Sequence, residues 1–175
     1  MRIRIAAALA TAAAISLGSL VFAAPAQAAF RNDIEIDLAD GKCLDVPEGN
    51  FASGVLVQEW SCNGSIAQRW NFVWSTSHYF QIQSVGNPSL CLNNWSGGGA
   101  KGDAIALYSC ASGDSLFNTV GTWNGYFQFQ PKAAVTTCVM PWGGTAQGAK
   151  LRLDTCSTGG EKSYFDLHAQ VSSEN

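Results

Sequence analysis

The sequence predicts an all-β fold with pseudo-threefold symmetry, and three observations carry that reading. Six cysteines fall into a repeating rhythm: Cys43 and Cys62, Cys91 and Cys110, Cys138 and Cys156 are 19, 19 and 18 positions apart, and the first members recur 48 and then 47 positions apart. Around each pair the same series of short alternating segments returns. The composition suits strands joined by turns: 18 Gly, 11% aromatic and only 13% charged residues. Self-similarity at a fixed period outranks local propensity in deciding architecture.

The first segment is read as an address. Met1–Ala29 opens with Arg2 and Arg4, runs through an Ala/Leu/Ile/Val stretch and reaches Ala26-Gln27-Ala28, an A-x-A cleavage pattern. The expectation is a secretory signal peptide over residues 1–28 and an extracellular mature chain over 29–175. Export agrees with the cysteines, because disulfides persist in oxidising compartments. Removing Arg2 and Arg4 leaves eight basic and thirteen acidic side chains. That mildly acidic balance argues against nucleic acid or an anionic membrane as partner.

Three units come after it, at about 34–74, 79–123 and 126–168. Each opens with a period-two strand: Ile34-Glu35-Ile36-Asp37-Leu38, Phe80-Gln81-Ile82-Gln83, and Phe127-Gln128-Phe129-Gln130. A second strand surrounds the first cysteine (Cys43-Leu44-Asp45-Val46, Cys91-Leu92-Asn93, Cys138-Val139-Met140). A Gly-rich turn comes next, at Glu48-Gly49-Asn50, Gly97-Gly98-Gly99 and Gly143-Gly144. A third strand leads to the second cysteine: Val55–Trp60, Ala104–Tyr108 and Lys150–Asp154. An aromatic segment closes each unit, around Trp70, Phe117 and Phe165. Twelve short strands result, and no helix of ordinary length is expected.

The repeat favours pairing the cysteines within units, although six cysteines admit other connectivities. Each bridge would close a loop worth roughly 3 kcal/mol in the chain-entropy model. Metal ligation is the weaker reading of these cysteines, because a zinc site wants closer ligand spacing. The two histidines, His78 and His168, add no ligand pattern. No metal and no cofactor are expected.

Unit one carries Gly41-Lys42-Cys43-Leu44-Asp45-Val46, then Val57-Gln58-Glu59-Trp60-Ser61-Cys62, then Gln68-Arg69-Trp70. These residues resemble the ricin-B type lectin repeat with its Q-x-W signature, and a family 13-like carbohydrate-binding module. The resemblance extends over nearly all of the mature chain, most specifically in unit one. It implies a β-trefoil of three pseudo-symmetric four-stranded repeats, one disulfide per repeat: a six-stranded barrel capped by three hairpins, with a shallow sugar pocket per unit. It also implies galactose-type or xylan-type glycans as weak, multivalent ligands. In the family the residue before the signature Gln is often a sugar-contacting Asn; here it is Ala67.

If the two cysteines of a unit face one another on antiparallel strands, the register is fixed, because same-face neighbours lie two residues away. Asp45 then faces Trp60, with Gln58 beyond on the same side. An ionised Asp45 only accepts hydrogen bonds and can take two from sugar hydroxyls. Trp60 offers a flat apolar surface to a pyranose ring, and Gln58 both donates and accepts. Local satisfaction of turn amides near Pro47 is the competing role for Asp45, and core packing for Trp60. Gln68 joins the site set, with turn-fixing as its other role beside a core Trp70. Unit two places Asn93 opposite Tyr108, a weaker version with Asp114 and Ser115 nearby. Unit three places Met140 opposite Asp154 and loses both roles. Trp95 and Trp142 lie in Gly-rich loops as a further candidate surface.

Carbohydrate binding is thus the leading expectation, with no catalytic residues. The rival is a trefoil turned to a secreted protein partner, as a toxin-complex adaptor or an inhibitor, since a scaffold does not choose its ligand. A hydrolase is disfavoured: the Gly-x-Ser-x-Gly elbow is missing and neither His lies in a catalytic signature.

Overall fold

In a computed structural model, residues 29–76, 78–123, 125–156 and 164–168 are described. The predicted leader and its cleavage site lie outside them. Among these residues twelve strands appear, four per unit. Unit one supplies β1 (Ala29–Leu38), β2 (Lys42–Asp45), β3 (Gln58–Ser61) and β4 (Trp70–Trp74). Unit two supplies β5 (Phe80–Ser84), β6 (Leu90–Asn94), β7 (Ile105–Ser109) and β8 (Phe117–Trp123). Unit three supplies β9 (Tyr126–Pro131), β10 (Thr137–Pro141), β11 (Leu151–Thr155) and β12 (Phe165–His168). The only helical elements among the described residues are three short 3-10 turns.

The outer strands of the units close a barrel. β1 pairs with β4, β4 with β5, β5 with β8, β8 with β9, β9 with β12, and β12 with β1, all antiparallel. Closure leaves these six strands without a free edge. Their alternation decides what fills the barrel: Ile34, Ile36, Trp70, Phe72, Phe80, Ile82, Phe117, Phe129 and Phe165 are buried. The rings of Phe72 and Phe80 have centroids 5.0 Å apart, and those of Phe129 and Phe165 4.8 Å, as tilted aromatic pairs do. The inner strands make three hairpins, β2–β3, β6–β7 and β10–β11. This is the β-trefoil.

The hairpins lock into one another around the cap in a cycle. Gly54 N donates to Leu107 O at 2.8 Å, Gly102 N to Leu153 O at 2.7 Å, and Gly148 N to Glu59 O at 2.9 Å. Each of these glycines has a positive φ (+87°, +91°, +85°) and packs against an aromatic ring of the neighbouring unit: Trp95, Trp142 and Trp60 respectively. All three turns need the left-handed backbone, and at Gly54 and Gly148 an added Cβ would stand 3.2 and 3.3 Å from the ring, so Gly meets both demands there.

The three disulfides join Cys43 to Cys62, Cys91 to Cys110, and Cys138 to Cys156, one in each unit. The register around them differs from expectation, by two residues in every hairpin. Cys43 stands opposite Trp60 and Asp45 opposite Gln58. Cys91 stands opposite Tyr108 and Asn93 opposite Ala106. Cys138 stands opposite Asp154 and Met140 opposite Arg152. The reason is that Cys62, Cys110 and Cys156 each lie just past the end of their strand. The departing chain brings each to a Cα separation of 5.0, 4.9 and 4.9 Å from a cysteine that already has another partner across the ladder. A shift by two residues keeps every side chain on its face.

Candidate functional site

The cleft of unit one has a volume of about 550 Å³, and Asp45, Gln58, Trp60, Glu48, Ile66 and Lys150 are among the residues lining it. The strands explain the grouping. Asp45 ends β2 directly across from Gln58, and Trp60 is two residues further along β3 on the same face. Asp45 is 4% exposed, and Trp60 is 36% exposed at the rim. An acceptor-only carboxylate at the base and an indole at the mouth can together read sugar hydroxyls and pack a pyranose ring.

Asp45 is held from two sides. Gln58 Nε2 donates to Oδ1 at 2.7 Å, and Gln68 Nε2 donates to Oδ2 at 3.2 Å. Gln68 is fully buried and braced in turn: it donates to Ser61 O at 3.0 Å and accepts from Asn63 N at 2.7 Å. The structure therefore places Gln68 behind the pocket, supporting Asp45 and the 61–63 turn, rather than on the pocket wall. Trp70 of the same signature is core, its indole donating to Leu44 O at 3.1 Å. Ala67, where the family often has Asn, lines the cleft without a polar group.

One lining residue was invisible to reasoning within a unit. Lys150 comes from unit three, and its Nζ donates to Gln58 Oε1 at 2.6 Å. The ladder between Gln58 and Lys150 brings it there, beside the Gly148 turn that packs on Trp60. The recurrence of Gly54, Gly102 and Gly148 at nearly the cysteine period was the signal that could have exposed this crossing.

Unit two has a smaller cleft of about 320 Å³, lined by Asn93, Trp95, Tyr108, Ser112 and Asp114. The expected pairing of Asn93 with Tyr108 is not what the ladder shows: Asn93 faces Ala106, and Tyr108 lies two residues beyond Ala106 on the same face, opposite Cys91. Asn93 shares a 2.9 Å hydrogen bond with Ser115 Oγ, and Tyr108 meets Trp95 edge-on at 5.5 Å. Tyr108 is 41% and Trp95 47% exposed. In unit three Met140 is buried, Lys101 Nζ holds Asp154 at 2.6 Å, and the Arg152 guanidinium sits 5.9 Å from the Trp142 ring. The expected pairing of Met140 with Asp154 gives way to Met140 with Arg152, but the acid and stacking ring are both missing there as read from the sequence.

Glu35 and Asp37 gather beside Cys43 and Cys62. Both sulfurs there are committed to a disulfide, so no thiolate remains to ligate a metal. On the same hairpin Lys42 is held above its ordinary pKa of 10.5, first by its hydrogen bond to Asp40 and then, against partial desolvation, by the charges of Glu59 and Asp40.

Comparison with known proteins agrees with this fold. The designed threefold-symmetric protein ThreeFoil is similar at TM-score 0.70 and 20% identity, over 77% of this chain and 96% of that one. The Macrolepiota procera ricin B-like lectin, solved in complex with lactose, is similar at TM-score 0.64 and 13% identity, over 81% and 98%. An exo-beta-1,3-galactanase from Clostridium thermocellum is similar at TM-score 0.71 and 18% identity, over 79% of this chain but only 30% of its own. At these identities the likeness establishes the fold. No curated protein sequence matches the chain significantly. The profile of the family described as "Ricin-type beta-trefoil lectin domain-like" matches residues 34–108 and 67–154, together most of the chain. The chain belongs to that family of ricin-type β-trefoil lectin domain-like proteins.

Proposed function

We propose that this is a secreted, non-catalytic carbohydrate-binding protein whose principal pocket is the cleft of unit one. One observation carries the reading: a buried carboxylate fixed by two amides, at the base of an open cleft whose rim is a part-exposed tryptophan. Asp45 accepts from sugar hydroxyls, Gln58 contributes at its side, and Trp60 packs the ring's C–H face. Unit two is a secondary site, in which Tyr108 stacks and Asn93 replaces the acid. Galactose-type ligands gain support from the lactose bound by the Macrolepiota procera lectin, with xylan-type glycans as the other class. A shallow site with one carboxylate binds weakly, so avidity comes from multivalent glycans.

Isothermal titration and a glycan array test this. Saturable binding that is lost in Asp45→Ala and Trp60→Ala supports it; no saturable binding, or binding indifferent to both substitutions, removes it. Release of reducing sugar from polysaccharides would contradict the non-catalytic part.

A second reading, a protein-binding adaptor, draws on unit three, where the sugar-reading residues are gone and Trp142 is 41% exposed. A stoichiometric protein partner recovered with the exported chain, with binding lost in Trp142→Ala and kept in Trp60→Ala, favours it.

A further inference from the structure

The base of the unit-one cleft is a directional chain of three side chains. Asp45 can only accept, so the Gln58 amide must turn its Nε2 toward the carboxylate. Its Oε1 then points the other way, and Lys150 Nζ donates to it. Gln58 is 6% exposed and cannot exchange these partners for water. An ammonium carries three N–H groups and one is used here. Among the described residues no carboxylate comes within 4.0 Å of Lys150 Nζ, whereas Lys42 has two and Lys101 has one.

Lys150 is held in place by unit one itself. Glu59 N donates to Ala149 O at 3.0 Å, Leu151 N to Val57 O at 2.9 Å, and Ser61 Oγ to Gln147 Oε1 at 2.7 Å. The segment 147–151 thus runs as a wall along β3, and its cation and the Asp45 anion line one cleft. A sugar hydroxyl is both donor and acceptor. A vicinal diol, with one hydroxyl donating and its neighbour accepting, can bridge the same two charges from the open side.

We propose that Lys150 is a specificity-determining residue of the unit-one pocket, which takes pyranosides presenting two adjacent free hydroxyls: one donates to Asp45 and its neighbour accepts from Lys150. This rests on the reading of that cleft as a sugar site. It gives unit three, which has lost its own acid and ring, a part in binding through its neighbour's pocket.

The test is titration of the full mature chain with lactose and with xylotriose, using the unaltered protein, Trp60→Ala, Lys150→Met, Lys150→Arg and Lys150→Glu. For the sugar whose binding Trp60→Ala abolishes, Lys150→Met weakens affinity about tenfold or more, the size of one hydrogen bond to a charged group. Lys150→Arg, which still donates, stays within about threefold, a rescue that mere packing of the aliphatic stem would not produce. Lys150→Glu abolishes binding, and thermal melting shows that the variants are folded. Removal of the oxygen that accepts from Lys150, in the corresponding deoxy sugar, reduces binding to the unaltered protein but not to Lys150→Met. Equal affinity of Lys150→Met and the unaltered protein, with Trp60→Ala inactive, overturns this inference and leaves the sugar site standing. Binding that survives Trp60→Ala overturns the sugar site itself, and this inference with it.

Discussion

Substituting Asp45 by Asn changes one oxygen for one nitrogen, and the hydrogen bonds around it set the cost. Gln58 and Gln68 both aim Nε2 at this side chain, at 2.7 and 3.2 Å. Neither can turn round. Lys150 holds the oxygen of Gln58, and the Asn63 amide holds that of Gln68. A carboxamide has a single acceptor oxygen, so one of its edges must set an N–H against an N–H in a site only 4% exposed. One buried hydrogen bond is lost, at about 1–3 kcal/mol, and the other falls from charge-assisted to neutral, at about 0.5–1.5 kcal/mol. A total near 2–4 kcal/mol lowers the melting temperature by roughly 4–16 °C for a chain of this size. Scanning calorimetry reads the shift, and sugar titration at low temperature reads affinity in the same sample. Melting within about 1 °C of the unaltered protein would refute the claim that Asp45 is clamped by both amides.

Three further substitutions probe other parts of the molecule. Gly148→Ala puts a side chain at φ +85° and a Cβ 3.3 Å from Trp60 Cζ3; it should destabilise by about 1–3 kcal/mol and weaken sugar binding as Trp60 shifts, with unchanged affinity as the contrary result. Asn94 is 1% exposed with both amide atoms unbonded, at the place Val46 fills in unit one; Asn94→Val should raise stability in urea by about 1–2 kcal/mol, and a loss would show that the amide has a role. The raised pKa of Lys42 makes its contribution fully present below its ordinary value of 10.5 and lost as pH climbs through the raised value. Alkaline melting of Lys42→Met should therefore fall less steeply above that pH than melting of the unaltered chain.

The period of the cysteines made the threefold repeat legible, and the resemblance of unit one to the ricin-B type repeat supplied the trefoil. The same symmetry made the fault in register uniform. Assuming that each cysteine faces its mate ignored that Cys62, Cys110 and Cys156 stand at strand ends, where the chain is already turning. The three side chains stayed together because a slip of two residues preserves the face: Asp45 lost Trp60 as its direct neighbour and gained Gln58, and all three line one cleft. Contacts between units were not legible by counting within one. Lys150 and Gly148 reach unit one through backbone bonds to Glu59 and through the Gln58 ladder, and nothing in the local pattern around them names that destination. Gln68 could be placed on either side of Asp45 from the sequence; full burial and three side-chain hydrogen bonds, two of them to backbone, put it behind.

A crystal structure of the chain from residue 29 onward, soaked with lactose, tests the central claim most directly. The expected result is a galactose ring packed on Trp60, with one hydroxyl within hydrogen-bond distance of Asp45 and an adjacent one facing Lys150. A fully occupied sugar elsewhere with the Trp60 cleft empty would contradict it.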